Sequence, residues 1–139
     1  MAITQAMCTS FKAECLDEQH DLVADTIKIA LYTSSASLGA GTTAYTTSNE
    51  VANGNGYTTG GNTLANKVVS TSGTTAYFDS DDPEWTSASF TARGALIYNS
   101  TNSDKAIAVL DFGGDFTVSS GTFRIVFPAA GANAIIRIA

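Results

Sequence analysis

Thr26-Ile27-Lys28-Ile29-Ala30-Leu31-Tyr32 decides the class of this chain. Ile27, Ile29 and Leu31 alternate with Lys28, Ala30 and Tyr32. That period of two is the mark of a half-buried β-strand, and Thr33-Ser34-Ser35 ends it. Before it the period differs. Ile3, Met7, Phe11 and Cys15 recur every fourth residue, so residues 1–16 are expected to form one short amphipathic helix. Thr4 is a candidate cap, and the pattern fades from Asp17 to Asp21. A helix this short is not stable alone, so its apolar stripe must pack on the main domain or on a partner.

Beyond the first strand, residues 37–64 are turn-rich. Gly39, Gly41, Gly54, Gly56, Gly60 and Gly61 are interleaved with Asn53, Asn55 and Asn62. Tyr45, Val51, Tyr57 and Leu64 are the available anchors. A loop of this length in a compact domain is commonly functional or packed on another chain. The spaced tyrosines argue for an ordered excursion rather than a flexible tract.

Strand patterns then resume. Lys67–Thr71 and Thr74–Asp79 flank Ser72-Gly73 and suit a hairpin. Trp85–Asn99 is a longer run with a break expected near Gly94. Lys105–Phe112 is apolar on both parities, so both of its faces are expected to be covered. Thr122–Phe127 and Asn133–Ile138 complete the set, with Gly113-Gly114 and Ser120-Gly121 read as turns. About seven short strands separated by turns indicate a mainly-β chain. The expected fold is a single domain over residues 1–139. It comprises an antiparallel β-sandwich, jelly-roll-like, over 26–139, with a helix over 1–18 and the excursion 37–64.

Composition agrees. The chain has 139 residues, 44% hydrophobic and 14% charged, with a formal net charge of -6. Charged residues in an average globular domain are about 25%, so this surface is charge-poor and rich in Ser, Thr, Asn and Gly. Seven scattered Lys and Arg make no basic stripe, which argues against nucleic acid and anionic membranes as partners. No apolar run reaches the ~18 residues of a membrane span, and the N-terminus lacks a signal-peptide pattern.

The search for chemistry returns little. His20 is the one histidine. In Glu18-Gln19-His20-Asp21, at the polar end of a helix, it reads as a solvated or dipole-complementing residue. Cys8 and Cys15 lie about 10 Å apart if the segment is helical, too far for a bridge, and have no metal-ligand spacing. Asp79, Asp81, Asp82 and Glu84 do not match a calcium loop and read as a solvated acidic turn before Pro83. Gly39-Ala40-Gly41-Thr42-Thr43-Ala44 lacks the flanking strand and helix of a dinucleotide fingerprint. Asn99-Ser100-Thr101 reads as a turn. No enzyme activity, cofactor or metal is expected.

Several ordered segments together resemble a family of small virion structural proteins of tailed bacteriophages. They include Phe11-Lys12-Ala13-Glu14, Asp25 to Ala36, Ala44-Tyr45-Thr46-Thr47 and Asn49-Glu50-Val51. Gly56-Tyr57-Thr58, Gly60-Gly61, Phe90 to Asn99 and Ala106 to Gly114 continue the pattern, which runs on through Phe127-Pro128-Ala129-Ala130 to Ile135-Ile136-Arg137-Ile138. Cys15-Leu16-Asp17-Glu18-Gln19 departs from it. The resemblance implies a place in the assembled particle, and the small size, acidity, lack of catalytic groups and a helix that needs a partner favour a capsid decoration, or cement, protein. Such a protein is made in the host cytoplasm and placed on the virion's capsid exterior. It bridges copies of the major capsid protein, commonly as a homotrimer fixed by an N-terminal element. On that view Ile3, Met7 and Phe11 lie at or near the anchoring surface, and Tyr45 and Tyr57 are further interface candidates. The competing expectation is that the Ile3–Met7–Phe11 stripe packs on its own domain. A second function class is a tail or fibre component that stacks host glycans on Tyr45, Tyr57 and Trp85. A third is a glycan hydrolase using Asp79, Asp82 or Glu84.

Overall fold

A computed structural model describes residues 2–139. In chain order the elements are β1 (Ala6–Met7), α1 (Thr9–Leu16), β2 (Ile27–Tyr32), β3 (Asn62–Thr63), β4 (Val68–Ser72), β5 (Thr75–Asp79), β6 (Glu84–Asn99), β7 (Lys105–Arg124) and β8 (Ile136–Ile138). They form two antiparallel sheets, ordered β1-β7-β6-β2-β3 and β4-β5-β8. The mainly-β, two-sheet character read from the sequence is present. The finer jelly-roll description is not carried forward, because the sheets hold five and three strands and the two longest strands are hairpin neighbours.

The β6–β7 hairpin is the spine. Its register runs from Asn99↔Lys105 at the turn to Glu84↔Arg124 at the far end. The sequence reading divided β7 in two, taking Gly113-Gly114 and Ser120-Gly121 as turns. They are irregularities within one strand instead. Register shifts fall between Ala92 and Gly94 and between Ala88 and Phe90, opposite those glycines. Pairing along a long partner strand absorbs the extra residues as bulges. The break expected near Gly94 is present, and close approach explains the glycine. A Cβ there would lie 2.5 Å from the Leu110 carbonyl oxygen and 2.8 Å from Ile3 Cδ1.

β2 is buried on both faces apart from partly covered Lys28, so it is more deeply covered than a half-buried strand. Its second edge is closed by the excursion. Lys28 and Ile29 pair with β3, the Leu64 N–H donates to Ile27 O, the Val51 N–H to Leu31 O, and the Thr33 N–H donates to Asn49 O. The Leu31 N–H donates to the Tyr57 hydroxyl at 3.0 Å. The excursion is therefore ordered, and it satisfies a strand edge that would otherwise lie open. Gly61 makes this approach possible. Its φ is +79°, and a Cβ would lie 1.8 Å from the Ile29 carbonyl oxygen.

The N-terminus departs from expectation. Helix α1 covers 8 residues, Thr9–Leu16, rather than the expected 1–18, of which Met1 lies outside the described residues. Cys8, not Thr4, is its N-cap, and it makes no side-chain capping bond. Upstream, the backbone finds sheet partners instead. Ile3 bridges Leu38, Ala6 pairs with Val109, and Met7 with Ala108. Strand pairing closes backbone groups that a longer helix would have closed internally. At the other end of the chain, β8 is shorter than the expected 133–138. The small sheet joins the core through Phe78 and Ile136, while β4 is exposed throughout.

Candidate functional site

The residues named from the sequence separate into two groups. Ile3, Phe11 and Tyr57 are buried in the chain's own core, at 7%, 2% and 2% exposure. Ile3 lies over Gly94, and Phe11 packs with its ring 5.0 Å from that of His20. Met7 and Tyr45 are half-buried. The stripe is thus not a contiguous exposed anchor; Ile3 and Phe11 hold the N-terminal segment onto the sheet. Trp85 is also buried, at 3%, so the expected sugar-stacking surface of Tyr45, Tyr57 and Trp85 is not available as a row.

Tyr45 and Tyr57 do meet, on Glu50. The Tyr45 hydroxyl donates to Glu50 Oε1 at 2.6 Å and the Tyr57 hydroxyl to Oε2 at 2.5 Å. The Gly60 N–H donates to the same Oε2 at 2.7 Å. Tyr98 donates to Gly60 O at 2.7 Å and stacks on Tyr45 with centroids 4.6 Å apart. Tyr32 donates to Thr46 O at 2.6 Å. Burial, with the bonds to Glu50, pushes the Tyr45 and Tyr57 phenols above their usual range. One carboxylate thus collects three donors from distant parts of the excursion. This is a structural lock.

His20 is likewise not the solvated residue expected. Its side chain is 1% exposed. Nε2 lies 2.9 Å from Glu14 Oε1, and Nδ1 lies 3.0 Å from Asn99 Nδ2. The Asn99 amide is oriented by its oxygen, which accepts from the N–H groups of Thr101 and Asn102. Its nitrogen therefore donates, to Nδ1 and to Asp25 Oδ2 at 2.8 Å. Nδ1 is an acceptor, and the imidazole proton sits on Nε2 facing Glu14. Glu14 Oε2 also lies 3.6 Å from Lys105 Nζ. Both ring nitrogens are thus committed to tying the helix to the turn at residues 99–105. The thiols beside it are poor nucleophiles. Burial first, then Glu14, pushes Cys8 up to about 11 and raises Cys15.

Among the described residues no group of three or more His, Cys, Asp or Glu is placed to hold a metal ion. Within Asp79–Glu84, Asp81 and Asp82 are engaged in structure, whereas Asp79 Oδ1 is buried with no hydrogen-bond partner. Asp81 accepts from Asn66, and Asp82 accepts from the Phe127 N–H at 2.9 Å and from Arg124 at 3.3 Å. Among the described residues no helix is long and apolar enough to cross a membrane.

The accessible features include an acidic cleft of about 450 Å³ lined by Ser80, Asp81, Asp82, Glu84 and Arg124, and two that carry exposed apolar side chains. At the end of α1, Leu16 is 89% exposed. An adjacent open cleft of about 740 Å³ is lined by the apolar Leu22, Val23 and Val69 together with Cys15, His20 and the acidic Glu18, Asp21 and Asp25. Val23, Val68 and Val69 are each about half exposed. A second groove, about 460 Å³, runs beside β7 between Phe112, Phe116, Val118, Phe123 and Val126. Phe116 is 53% exposed and Val126 73%. Exposed apolar side chains gathered in this way mark interaction surfaces. In the sequence, Leu16 and Val23 flank the fading end of a helical pattern, and Phe116 sits between the turn-like Gly113-Gly114 and Ser120-Gly121, so their exposure depends on the strand pairing rather than on local pattern. No family model, curated protein or solved structure matches the chain.

Proposed function

We propose that the chain is a structural protein of a tailed-bacteriophage virion, a decoration or cement protein bound to the outside of the capsid. The observation that carries this reading is the apolar surface at the end of α1 on an otherwise charge-poor, Ser/Thr-rich exterior. The order-by-order resemblance of its segments to that virion family adds support. Leu16, Val23, Val68 and Val69 are the surface side chains that would seat on the major capsid protein. The acidic Glu18, Asp21 and Asp25 of the same cleft favour a contact bearing Lys or Arg.

The mechanism is mechanical rather than catalytic. Packaged DNA loads the shell, and a subunit spanning neighbouring capsomers adds buried area that must be lost before they separate. About 1,000 Å² of such contact suffices for a specific interface, and several linked contacts multiply its strength. The tail-fibre reading lacks its aromatic platform, since Tyr57 and Trp85 are inside the fold. The test is the copy number of this chain relative to the major capsid protein in purified particles of the phage that encodes it. A ratio that divides the capsid lattice simply is expected. A few copies matching tail symmetry, or none, overturns the reading.

A further inference from the structure

The two outer edges of the long sheet are treated differently. The free edge of β2 is closed by the excursion. On the other side, β1 covers β7 only at Ala108 and Val109, and the sheet has no strand beyond β1. Residues 112–124 of β7 therefore form an open edge among the described residues. Natural edges are commonly protected by Lys, Pro, inward charges or bulges, and here the irregularities at Gly113-Gly114 and Ser119-Ser120 are the devices of this kind. This one reads Phe-Gly-Gly-Asp-Phe-Thr-Val-Ser-Ser-Gly-Thr-Phe-Arg and has neither Lys nor Pro.

Its sequence is self-complementary when read outward from the Ser119–Ser120 bond. Ser119 faces Ser120, Val118 faces Gly121, Thr117 faces Thr122, Phe116 faces Phe123 and Asp115 faces Arg124. Such symmetry can fold back as a hairpin within one chain. Here it does not, because both arms run along β6. Phe116 pairs with Ala92, Thr117 with Thr91, Val118 with Phe90, Gly121 with Ala88 and Phe123 with Trp85. The symmetry is thus unspent within the chain.

We propose that two copies of this chain pair edge to edge through residues 115–124 of β7, antiparallel, about a two-fold axis between Ser119 and Ser120. Faces match in this register. Residues opposite one another in a ladder share a face. Phe116, Val118, Gly121 and Phe123 all lie on the face of Ala92, Phe90, Ala88 and Trp85, because the bulge at Ser119-Ser120, with Ser120 at φ 50°, restores the alternation. Phe116 of one copy then meets Phe123 of the other, twice, at the mouth of the β7 groove. Thr117 meets Thr122 on the opposite face. At each end the exposed Asp115 meets Arg124, whose side chain is 57% exposed although one guanidinium nitrogen lies 3.3 Å from Asp82 of its own chain. The guanidinium fork keeps donors for a second carboxylate. A two-fold contact of this kind is self-complementary and closes after two subunits. It does not depend on the particle in which the chain resides.

Register-specific cross-linking of the full chain tests it, with Cys15→Ser in every sample to remove the accessible native thiol. Thr117→Cys and Thr122→Cys are exposed substitutions on the outer face. Mixed and mildly oxidised, the two variants are expected to give a disulfide-linked dimer. Neither alone should do so, since like positions lie about five residues out of register, roughly 16 Å at strand rise. Sedimentation of the unmodified chain should give a dimer at tens of micromolar. Asp115→Arg, which opposes like charges at both ends, should weaken it about tenfold at low salt. A monomer or a trimer by mass, equal cross-linking of each variant alone, or no cross-link in the mixture overturns the pairing.

Discussion

Replacing Glu50 with Ala removes the acceptor on which the excursion closes. The three donors differ in what they do next. Tyr45 is half accessible, so its hydroxyl finds water and its loss contributes little. The Tyr57 hydroxyl and the Gly60 N–H belong to buried residues, and Glu50 is the acceptor each of them uses. A hydrogen bond to a charged group contributes about 1.5–3 kcal/mol, and an orphaned buried donor costs a similar amount. Counting the two buried donors, Glu50→Ala should cost about 3–6 kcal/mol. That is a large share of the ~5–15 kcal/mol expected for a domain. Glu50→Gln keeps one acceptor oxygen and should cost about 1–2 kcal/mol. Tyr57→Phe leaves the Leu31 N–H without its partner and should lie between these. Urea unfolding at pH 7 measures all three, and limited proteolysis of residues 46–60 reports whether the excursion loosens first. If Glu50→Ala unfolds within about 0.5 kcal/mol of the unaltered chain, the usual range of a neutral surface change, the lock is not what orders this segment.

Four further outcomes follow from the same contacts. Phe11→Ala should destabilise the free chain by about 3–4 kcal/mol in denaturant, as for other buried aromatics; a free chain of unchanged stability would return Phe11 to an anchoring role. Gly61→Ala should prevent folding, since its Cβ would overlap the Ile29 carbonyl, whereas Gly114→Ala, with open space around it, should leave a folded chain by circular dichroism. Alkali should weaken the fold: burial first, then Asp104 and Glu50, pushes Tyr98 up to about 12, and Tyr32, Tyr45 and Tyr57 shift the same way. The folded chain holds these protons where the unfolded chain has released them, so stability is full below about pH 10 and falls as pH rises through about 12; equal urea midpoints at pH 8 and pH 11 would contradict this. Leu16→Glu should leave the free chain's melting temperature unchanged and abolish retention on purified capsids, and retention at the original level would remove the end of α1 from the docking surface.

The strand period was legible where residues alternated in type or a turn dipeptide closed a hairpin. Ile27 to Tyr32, the Val68–Asp79 hairpin and the break at Gly94 all follow from local pattern and turn chemistry. What was not legible depended on partners far away in sequence. Ile3 and Met7 carry helical spacing, but Leu38 and β7 claim their backbones. Gly113-Gly114 and Ser120-Gly121 have turn composition, yet a long β6 strand makes it cheaper to bulge than to turn. His20 looked solvated because its neighbours are polar. Its burial comes from Asn99, which lies 79 residues away. Glu50 carried no motif at all. Its role exists because Tyr45, Tyr57 and Gly60 converge on it only after the excursion has wrapped β2.

The edges of the five-stranded sheet connect this fold to assembly. An exposed edge is a liability unless something occupies it. This chain devotes a long excursion, four buried or half-buried tyrosines and a carboxylate to closing the edge at β2. It leaves the distal half of β7 open, and the two-stranded β6–β7 ribbon there has no further strand to stabilise it. The aromatic cluster of Trp85, Phe90, Phe112 and Phe123 partly compensates by packing beneath the ribbon, with centroid spacings of 5.2 Å for Phe90–Phe123 and 6.1 Å for Trp85–Phe123. Phe116, held 6.2 Å from Phe112, is left half exposed at the rim of that cluster. A sheet closed on one side and open on the other directs association to the open side. Phe116 is accordingly the sharpest probe of the edge pairing: Phe116→Ser should shift the dimer to monomer while lowering the stability of the isolated chain by only about 1–1.5 kcal/mol, because a half-exposed ring has about half its burial to lose.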